Sequence, residues 1–299
     1  PPGSMVLRGS NPNGGVEFGM RSDEVVSKAL LNLTYTPSPS LQPVTSQLKV
    51  YLNEELMGVL PVTKEQLGKK VTAQVPVDPL YITDFNRVRL EFVGHYRDVC
   101  ENPSNNTIWL DVGRNSSLDL TYQSLKVRND LSHFPVPFFD ARDNRALKLP
   151  MVFAGSPDLQ QQQAAAIIAS WFGAKSGWRG QTFPVLYNAL PDRNAIVFAT
   201  NDHRPDFLRE HPPVTAPTIE MIDHPNNPYM KLLVVFGRDD KDLLKAAQGI
   251  AAGNILFRGN SVTVNEVKPL LARVPYDAPN WVRTDRPVTF GELKTYEQQ

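Results

Sequence analysis

The sequence has little cysteine, no excess of charge of either sign and no long hydrophobic run. Its one cysteine, Cys100, cannot form a disulfide within the chain, and one cysteine is too few for a cysteine-based zinc site. Lys plus Arg number 31 and Asp plus Glu number 31, so the overall charge does not indicate a nucleic acid or an anionic membrane as partner. Because no run approaches the roughly 18 apolar residues of a transmembrane helix, the sequence predicts a soluble polypeptide.

Proline is abundant instead. The 26 prolines are scattered through the chain, which is typical of many turns and of β-structure. The 299 residues are enough for about two domains. Residues 1–5 have the composition of a cloning remnant, and no signal peptide is visible. We therefore expect any targeting signal and membrane anchor to lie outside this sequence.

Residues 6–134 are predicted to form a domain of short β-strands. Val88, Leu90 and Phe92 alternate with charged neighbours, as expected of a strand that has one face in a core. A hairpin is expected at 46–63, and similar runs occur throughout the region. About eight such strands without a clear helix indicate a β-sandwich, for which we predict a jelly-roll topology.

Residues 135–148 are predicted to be a proline-rich linker, and residues 149–270 a second domain. Ser156 is expected to cap a first helix, with Pro157 as its first residue and Gly173 at its end. Asp239 or Asp240 is expected to cap a second helix. Apolar strands that alternate with helices indicate a three-layer α/β domain with a mainly parallel sheet. Strands are expected at 149–154, 182–187, 195–199, 218–222, 231–236 and 261–264. The apolar face of the first helix would comprise Leu159, Ile167, Ile168, Trp171 and Phe172.

The end of the chain contains a short echo of its beginning. The segment RPVTFGEL at 286–293 repeats the pattern of GGVEFGM at 14–20, with Val, one polar residue, Phe and Gly in the same order. Because this echo follows a complete α/β domain, residues 271–299 are predicted to lead into a second jelly roll.

Enzymatic interpretations find little support in the sequence. His95 and Cys100 lie five residues apart and could form a base and nucleophile pair, but no nucleophile-positioning turn surrounds Cys100. We therefore interpret both as non-catalytic. A glycoside hydrolase would need two carboxylates about 5–10 Å apart. Glu91, Glu101 and Asp111 are candidates for that pair, but their spacing in sequence does not bring them together.

No cofactor and no metal is predicted. A phosphate-binding loop needs several converging amides, and at the first helix only Gly155 and Ser156 are suitable, because Pro157 has no amide hydrogen. Histidines and acids are frequent between residues 202 and 224, but no histidine pair has the close spacing of metal ligands. These residues are His203, His211, His224, Asp202 and Asp223.

A polysaccharide ligand fits the sandwich domain better. Flat aromatic rings stack on sugar faces, and amides and carboxylates bind the hydroxyl groups. Tyr96, Trp109 and Tyr122 supply rings, and Trp109 fits a core position equally well, so both interpretations of it stay open. Nearby amides are those of Asn102, Asn105, Asn106 and Asn115.

Several long motifs make the chain similar to the family of periplasmic B subunits of bacterial cellulose synthase. They include NRVRLEFVGHYRDVCENPSNNTIWLDVGRNSSLDL at 86–120, PFFDARD at 137–143, ASWFGAKSGWRGQTFPV at 169–185 and YDAPNWVRTDRPVTFGEL at 276–293. The resemblance implies a carbohydrate-binding-like jelly roll and then a flavodoxin-like α/β domain that carries no flavin. It also implies that both domain types are repeated and that a C-terminal membrane anchor, absent from this sequence, tethers the protein to the inner membrane.

The resemblance implies a function as well. Family members are non-catalytic periplasmic partners that dock on the membrane-embedded catalytic subunit and guide nascent β-1,4-glucan, and some form homo-oligomers. Glycosyl transfer and cyclic di-GMP sensing belong to the catalytic subunit. The glucan-facing loop of the family would map here to residues 97–106. The carbohydrate-binding residues are then predicted to be Tyr96, Arg97, Cys100, Glu101, Asn102 and Trp109.

Two alternatives remain. A purely structural assembly protein would make oligomers or contact the synthase without measurable affinity for sugar. A polysaccharide hydrolase, the third hypothesis, would lose turnover when its two converging carboxylates are replaced.

Overall fold

The structure, a computed structural model, describes residues 3–10, 12–102, 105–253 and 255–268. Two groups of elements follow one another along the chain, and each group has its own hydrophobic core. The predicted start of a second jelly roll at 271–299 lies outside the described residues. In the part of the chain that is described, no helix is long and apolar enough to cross a membrane.

The first group is a β-sandwich of two antiparallel sheets, as predicted. One sheet has the strand order β1-β8-β3-β6, with β9 also paired to β3, and the other has the order β2-β7-β4-β5. The strands are β1 (Met5–Arg8), β2 (Asn13–Gly19), β3 (Glu24–Pro37), β4 (Gln47–Leu52), β5 (Glu55–Pro61), β6 (Val71–Val77), β7 (Phe85–Val93), β8 (Trp109–Val112) and β9 (Ser117–Ser124).

Alternation along each strand places one face in the core between the sheets. Leu31, Leu33 and Tyr35 of β3 are buried, because residues two apart point to the same side of a strand. The predicted hairpin is formed by β4 and β5. Met5 pairs with Val112, so the first strand begins inside the segment that we interpreted as a cloning remnant, and Met5 packs against the core.

The second group is built on a six-stranded sheet with the order β13-β11-β14-β16-β15-β17. Strand β11 runs parallel to β13 and β14, and β14 to β16, while β15 is antiparallel to both of its neighbours. The predicted mainly parallel sheet is therefore confirmed. The elements are β10 (Leu147–Lys148), β11 (Met151–Phe153), α1 (Leu159–Ser176), β12 (Gln181–Thr182), β13 (Val185–Tyr187), β14 (Ala195–Thr200), β15 (Thr218–His224), β16 (Asn227–Gly237), α2 (Asp240–Ala252) and β17 (Ser261–Thr263).

Both α-helices of the described residues pack on the same face of this sheet. Ile168 of α1 and Leu243 of α2 belong to one core with Met151 and Phe153. The opposite face, which carries Val152, is covered by Leu208 and neighbouring loop residues. The expected third layer is thus a loop layer and not a helical one. Its segment at 201–217 contains four prolines, which prevent a continuous helix.

Helix α1 begins and ends later than the sequence indicated. Asp158 is its N-cap, because its carboxylate accepts a hydrogen bond of 2.8 Å from the amide of Gln161. Gly173 lies inside the helix, which ends at Gly177 with a φ of +53°. Leu159 is 70% exposed. The buried face of the helix contains residues 164, 168 and 172. Residues on one face of a helix are three or four positions apart, so the next positions of this face toward the N-terminus are 161 and 160. Residue 159 therefore lies outside the buried face.

The linker at 135–148 is bound to the sandwich by its own charged side chains. Asp140 is 4% exposed and accepts hydrogen bonds from the amide and the hydroxyl of Ser22 at 2.8 and 2.9 Å. Arg142 forms a salt bridge with Asp84. Arg145 binds both carboxylate oxygens of Glu24 at 2.8 Å.

The same linker is bound to the α/β domain through its carbonyl groups. Arg179 donates a hydrogen bond of 2.9 Å to the carbonyl oxygen of Asp140, and Asn194 donates one of 3.0 Å to that of Pro137. The segment predicted to be a linker is therefore a fixed connection between the two domains.

Candidate functional site

The predicted sugar-binding loop, which joins β7 to β8, is organised around the carboxylate of Glu101. One oxygen accepts hydrogen bonds from the amides of Tyr96 and Arg97 at 2.6 and 3.0 Å, and the other lies 2.7 Å from Nδ1 of His95. These three bonds close residues 95–101 into a compact turn. Glu101 therefore holds the shape of the loop, a role that its sequence position alone did not indicate.

The bonds to Glu101 also determine its ionisation. Hydrogen bonds from the amides of Arg97 and Tyr96, followed by that from His95, lower the pKa of the Glu101 carboxyl to about 2. Glu101 is thus ionised at neutral pH. It cannot serve as a general acid, because that role requires a carboxyl group with a raised pKa.

The remaining loop residues divide into inward-facing and outward-facing groups. Tyr96 is half-buried against the core of the sandwich, and its hydroxyl accepts a hydrogen bond of 2.8 Å from the amide of Asn102. These two contacts hold the ring of Tyr96 in one position. Arg97, Val99 and Cys100 are exposed, and Cys100 has a φ of +56°. Asp98 is exposed as well, so the outer surface of the loop carries a cation, a carboxylate, an apolar side chain and a thiol.

Trp109 lies on the outer face of its sheet and does not fill the core. It alternates along β8 with Leu110 and Val112, which are both buried, and it is half-buried opposite Arg8 of β1. The question that the sequence left open is answered by this alternation, because neighbouring side chains of a strand point to opposite faces.

The residues considered for catalysis do not form a catalytic group. His95 is bound to Glu101 through Nδ1, while Cys100 is exposed on the loop. Glu91 lies on β7 of one sheet, where Arg89 and Lys49 bind its carboxylate, and Asp111 lies on β8 of the other sheet. The pKa of Glu91 is lowered by the hydrogen bond from Arg89. Glu91 and Asp111 therefore lie on different sheets and do not form the close carboxylate pair of a glycoside hydrolase.

Three of the residues considered for metal binding are each bound to a separate partner. His224 Nε2 lies 2.7 Å from the carbonyl oxygen of Pro191, His211 Nε2 lies 3.2 Å from Glu220, and Asp223 is bound to Lys231. Among the described residues, no three His, Cys, Asp or Glu side chains come close enough together to hold a metal ion.

A cavity of about 230 Å³ lies where β11 and β14 lead into the starts of α1 and α2. Ligands of parallel α/β sheets commonly bind at the carboxyl ends of the strands, where this cavity lies. Here Asp158 and Asp240 occupy the two helix starts, with His203 beside them. Burial raises the pKa of Asp240, and the nearby Asp158 adds to that effect. Because two carboxylates repel phosphate, the cavity does not fit a flavin or a nucleotide.

A cluster of ionic residues at the contact between the domains was not predicted from the sequence. Arg21 binds Asp23 at 2.7 Å and lies 3.5 Å from Asp143, while Arg145 binds both Asp143 and Glu24. Burial opposes ionisation of Asp143, but hydrogen bonds from Arg145 outweigh it and lower the pKa. The charged run DARDNR at 140–145 was the only signal of this cluster in the sequence.

Two family models match the chain. The model described as "Cellulose synthase BcsB, first CBM domain" matches residues 1–124, and the model described as "Cellulose synthase BcsB, first FD domain" matches residues 130–264. Together they match most of the sequence in the order in which the two domains fold. The chain belongs to the BcsB family of cellulose synthase. The resemblance seen in the sequence motifs is thereby confirmed, as is its connection with cellulose biosynthesis.

BcsB relatives match over the whole chain. A protein named "Cyclic di-GMP-binding protein" from Escherichia coli O157:H7 is 82% identical over 100% of this chain and 38% of its own length. The protein of the same name from Salmonella typhi is 81% identical over 100% of this chain and 39% of its length. "Cellulose synthase 1" from Komagataeibacter xylinus is 33% identical over 98% of this chain and 19% of its length. The chain spans less than two fifths of these curated relatives.

Proposed function

We propose that this chain is part of a non-catalytic periplasmic subunit that docks on the membrane-embedded cellulose synthase and guides nascent β-1,4-glucan during export. The observation that carries the proposal is the loop at 95–102, which Glu101 holds in one shape at the end of a β-sandwich matched by a BcsB CBM model. A loop that is ordered before binding loses less conformational entropy when it meets a sugar.

The outward-facing side chains of the loop supply the sugar contact in this proposal. Arg97 donates hydrogen bonds to hydroxyl groups, and the backbone around Cys100 and Asn102 lies at the surface beside it. Trp109, half-buried on the outer face of β8, offers part of its ring for stacking. Tyr96 and Glu101 stabilise the shape of the loop through their hydrogen bonds.

The absence of turnover is part of the same proposal. The carboxylates of Glu91 and Glu101 are both held ionised by their hydrogen-bond donors, so neither supplies the proton that cleavage of a glycosidic bond needs. The subunit would then act on glucan by binding alone. Weak binding suffices for such a guide, because tethering at the synthase raises the local concentration of the chain end.

The proposal also includes the membrane attachment of the subunit, its oligomeric state and the topology of its two domains. The subunit is tethered to the inner membrane, and copies of it form homo-oligomers. The sandwich has jelly-roll topology, and the α/β domain is flavodoxin-like without a flavin. The strand order β13-β11-β14 supports that last assignment, since a doubly wound sheet of the flavodoxin type also begins 2-1-3.

Cyclic di-GMP is a second candidate ligand, because relatives above 80% identity carry it in their names. It is a dianion with two guanine bases, and a site for it needs unpaired cations beside stacking surfaces. Arg21, Arg142 and Arg145 are each bound to carboxylates of this chain. These three arginines are therefore not free to bind its phosphates, and we assign glucan and not cyclic di-GMP to the contact between the domains.

Titration with cellohexaose, followed by backbone and indole NMR signals, tests the proposal. We expect shifts at Arg97 and Trp109, and we expect weaker binding in the variants Arg97→Ala and Trp109→Ala. Arg114→Ala is the matched control, because Arg114 is also an exposed loop arginine of the sandwich but lies at the other end of β8. The same titration with cyclic di-GMP is expected to leave the spectrum unchanged.

The outcomes separate the three hypotheses. Shifts without turnover of cellohexaose support glucan guidance. No shift at millimolar sugar would favour the purely structural assembly protein. Cleavage of cellohexaose that is lost on substitution of Glu91, Glu101 or Asp111 would show a hydrolase and contradict the proposal.

A further inference from the structure

A cleft of about 450 Å³ lies between the sandwich and the α/β domain. This volume falls within the range of roughly 300–1,000 Å³ that is usual for ligand sites. One wall comes from β3 and β9 of the sandwich and from the linker, and the other comes from residues 192–194 and the start of β16. The cleft is separate from the loop at 95–102, none of whose residues line it.

Two tyrosine rings stand at the surface of this cleft. Tyr122 of β9 is 43% exposed and Tyr229 of β16 is 49% exposed, one from each domain. Arg145 of the linker donates a hydrogen bond to the Tyr122 hydroxyl, and its guanidinium lies 4.8 Å from the centre of that ring. The ring of Tyr122 is therefore held in one orientation and keeps an exposed part for contact with a ligand.

The charges that line the cleft cancel. The lining of the cleft contains equal numbers of cations and anions. The five cations are Arg21, Arg145, Lys148, Arg179 and Arg193, and the five anions are Asp23, Glu24, Asp140, Asp143 and Asp192. Most of these groups are already bound to one another or to backbone carbonyls. A site with no net charge does not select a phosphate or a polyamine. It suits a neutral ligand rich in hydroxyl groups, which both charged signs can bind.

The two walls are held at a fixed distance by the linker. Asp140 binds Ser22 of the sandwich, and the carbonyl groups of Asp140 and Pro137 accept hydrogen bonds from Arg179 and Asn194 of the α/β domain. The cleft is thus formed before a ligand arrives, which lowers the entropic cost of binding.

We propose that this interdomain cleft is an oligosaccharide-binding site, where Tyr122 and Tyr229 stack on the pyranose faces of a neutral β-linked glucan. The exposed carboxylate of Asp192 and guanidinium of Arg193 bind its hydroxyl groups. The choice of glucan as the ligand rests on the proposed function. The cleft would be a second glucan-binding site, which the sequence motifs did not indicate. A glucan held at both the loop and the cleft would run along the side of the sandwich.

The test uses this chain, with cellohexaose as the probe and NMR as the readout. We expect chemical-shift changes at Tyr122, Tyr229 and Arg193, and a Kd about threefold to tenfold higher in Tyr229→Ala, as loss of one aromatic stacking contact implies. Tyr229→Phe keeps the ring and is expected to restore binding. Tyr187→Ala is the matched control, because Tyr187 is 56% exposed on the same domain but does not line the cleft.

The result distinguishes this inference from the proposed function. Shifts at Arg97 and Trp109 with none at Tyr122 or Tyr229 would overturn the cleft and leave the loop as the glucan contact. An equal loss in Tyr187→Ala and Tyr229→Ala would also overturn it, because binding would then follow any exposed ring. The absence of shifts at both places would overturn the inference and the proposed function together. Folding of each variant is checked by the unchanged amide spectrum of the core strands.

Discussion

Asp140 and Ser22 lie 118 positions apart in the chain, yet the carboxylate of Asp140 accepts hydrogen bonds from both the amide and the hydroxyl of Ser22. Asp140 belongs to the segment between the domains and Ser22 to the bend before β3. The contact is almost completely buried at Asp140. The contact binds the segment at 135–148 to the sandwich, although its composition is that of a linker. It therefore helps to set the positions of the two walls of the interdomain cleft.

Replacement of this carboxylate is expected to destabilise the protein. Asp140→Asn keeps the size of the side chain but loses the charged acceptor of five donor atoms of Ser22 and Arg142. We therefore expect the free energy of unfolding to fall by roughly 1–3 kcal/mol. Urea unfolding, followed through amide signals of both domains, measures this change. Asp192→Asn is the control: Asp192 is 77% exposed and its salt bridge is to its neighbour Arg193, so we expect a change below about 0.5 kcal/mol. Equal effects of the two substitutions would contradict a special role for Asp140.

The same residue is expected to make stability depend on acid pH. Burial opposes ionisation of Asp140, but hydrogen bonds from the amides and side chains of Ser22 and Arg142 outweigh it, and its pKa is about 2 instead of 3.8. A carboxyl group with a lowered pKa in the folded state stabilises that state above the unfolded pKa and ceases to do so as the pH falls through the folded pKa. The stability difference between the natural sequence and Asp140→Asn should therefore be constant above about pH 5 and shrink from about pH 4 to about pH 2. A difference that stays constant down to pH 2 would contradict this expectation.

The loop at 95–102 should loosen when Glu101 loses an acceptor oxygen. Glu101→Gln leaves one oxygen for the amides of Tyr96 and Arg97 but places an amide group where the other oxygen meets His95. We expect faster hydrogen exchange at the amides of Tyr96 and Arg97, with little change in global stability because the loop is at the surface. Glu55→Gln, at an exposed hairpin position, should change neither amide. Unchanged exchange in Glu101→Gln would show that Glu101 does not hold the loop.

The pKa of the Glu101 carboxyl group is a direct test of its hydrogen bonds within the loop. In the folded protein its 13C signal is expected to titrate with a midpoint near pH 2, well below the ordinary 4.5, because the amides of Arg97 and Tyr96 bind its ionised form. In Arg97→Pro one of these amides is removed, and the midpoint should rise. A midpoint near 4.5 in the unaltered chain would contradict the hydrogen bonds of the loop.

The position of the first helix on its sheet is tested by two of its apolar residues. Phe172 is fully buried in the core of the α/β domain, so Phe172→Ala is expected to lower the free energy of unfolding by about 3–5 kcal/mol. Leu159 is mostly exposed, so Leu159→Ala should change it by less than about 0.5 kcal/mol. Thermal and urea unfolding measure both. A large loss in Leu159→Ala would place that residue back on the packed face of the helix.

Much of the architecture was predictable because it depends on neighbours within one element. The alternation of Val88, Leu90 and Phe92 predicted a strand with one face in a core, and that strand is β7. The division into a sandwich and an α/β domain followed from the same periodicity, which changes at the linker. Helix boundaries were less certain, since Ser156 and Asp158 are both residues that cap helices and only the backbone bond to Asp158 distinguishes them.

The sequence by itself determined the elements, the order of the two domains and the family. Only the tertiary structure decided that Trp109 faces outward, that both helices share one face of the sheet, and that Tyr122 and Tyr229 meet at one cleft. The physical reason is the range of the interactions. Periodic burial is imposed by side chains two to four residues apart, whereas the cleft depends on ionic and hydrogen-bond contacts such as that between Asp140 and Ser22, which exist only once the chain has folded back on itself.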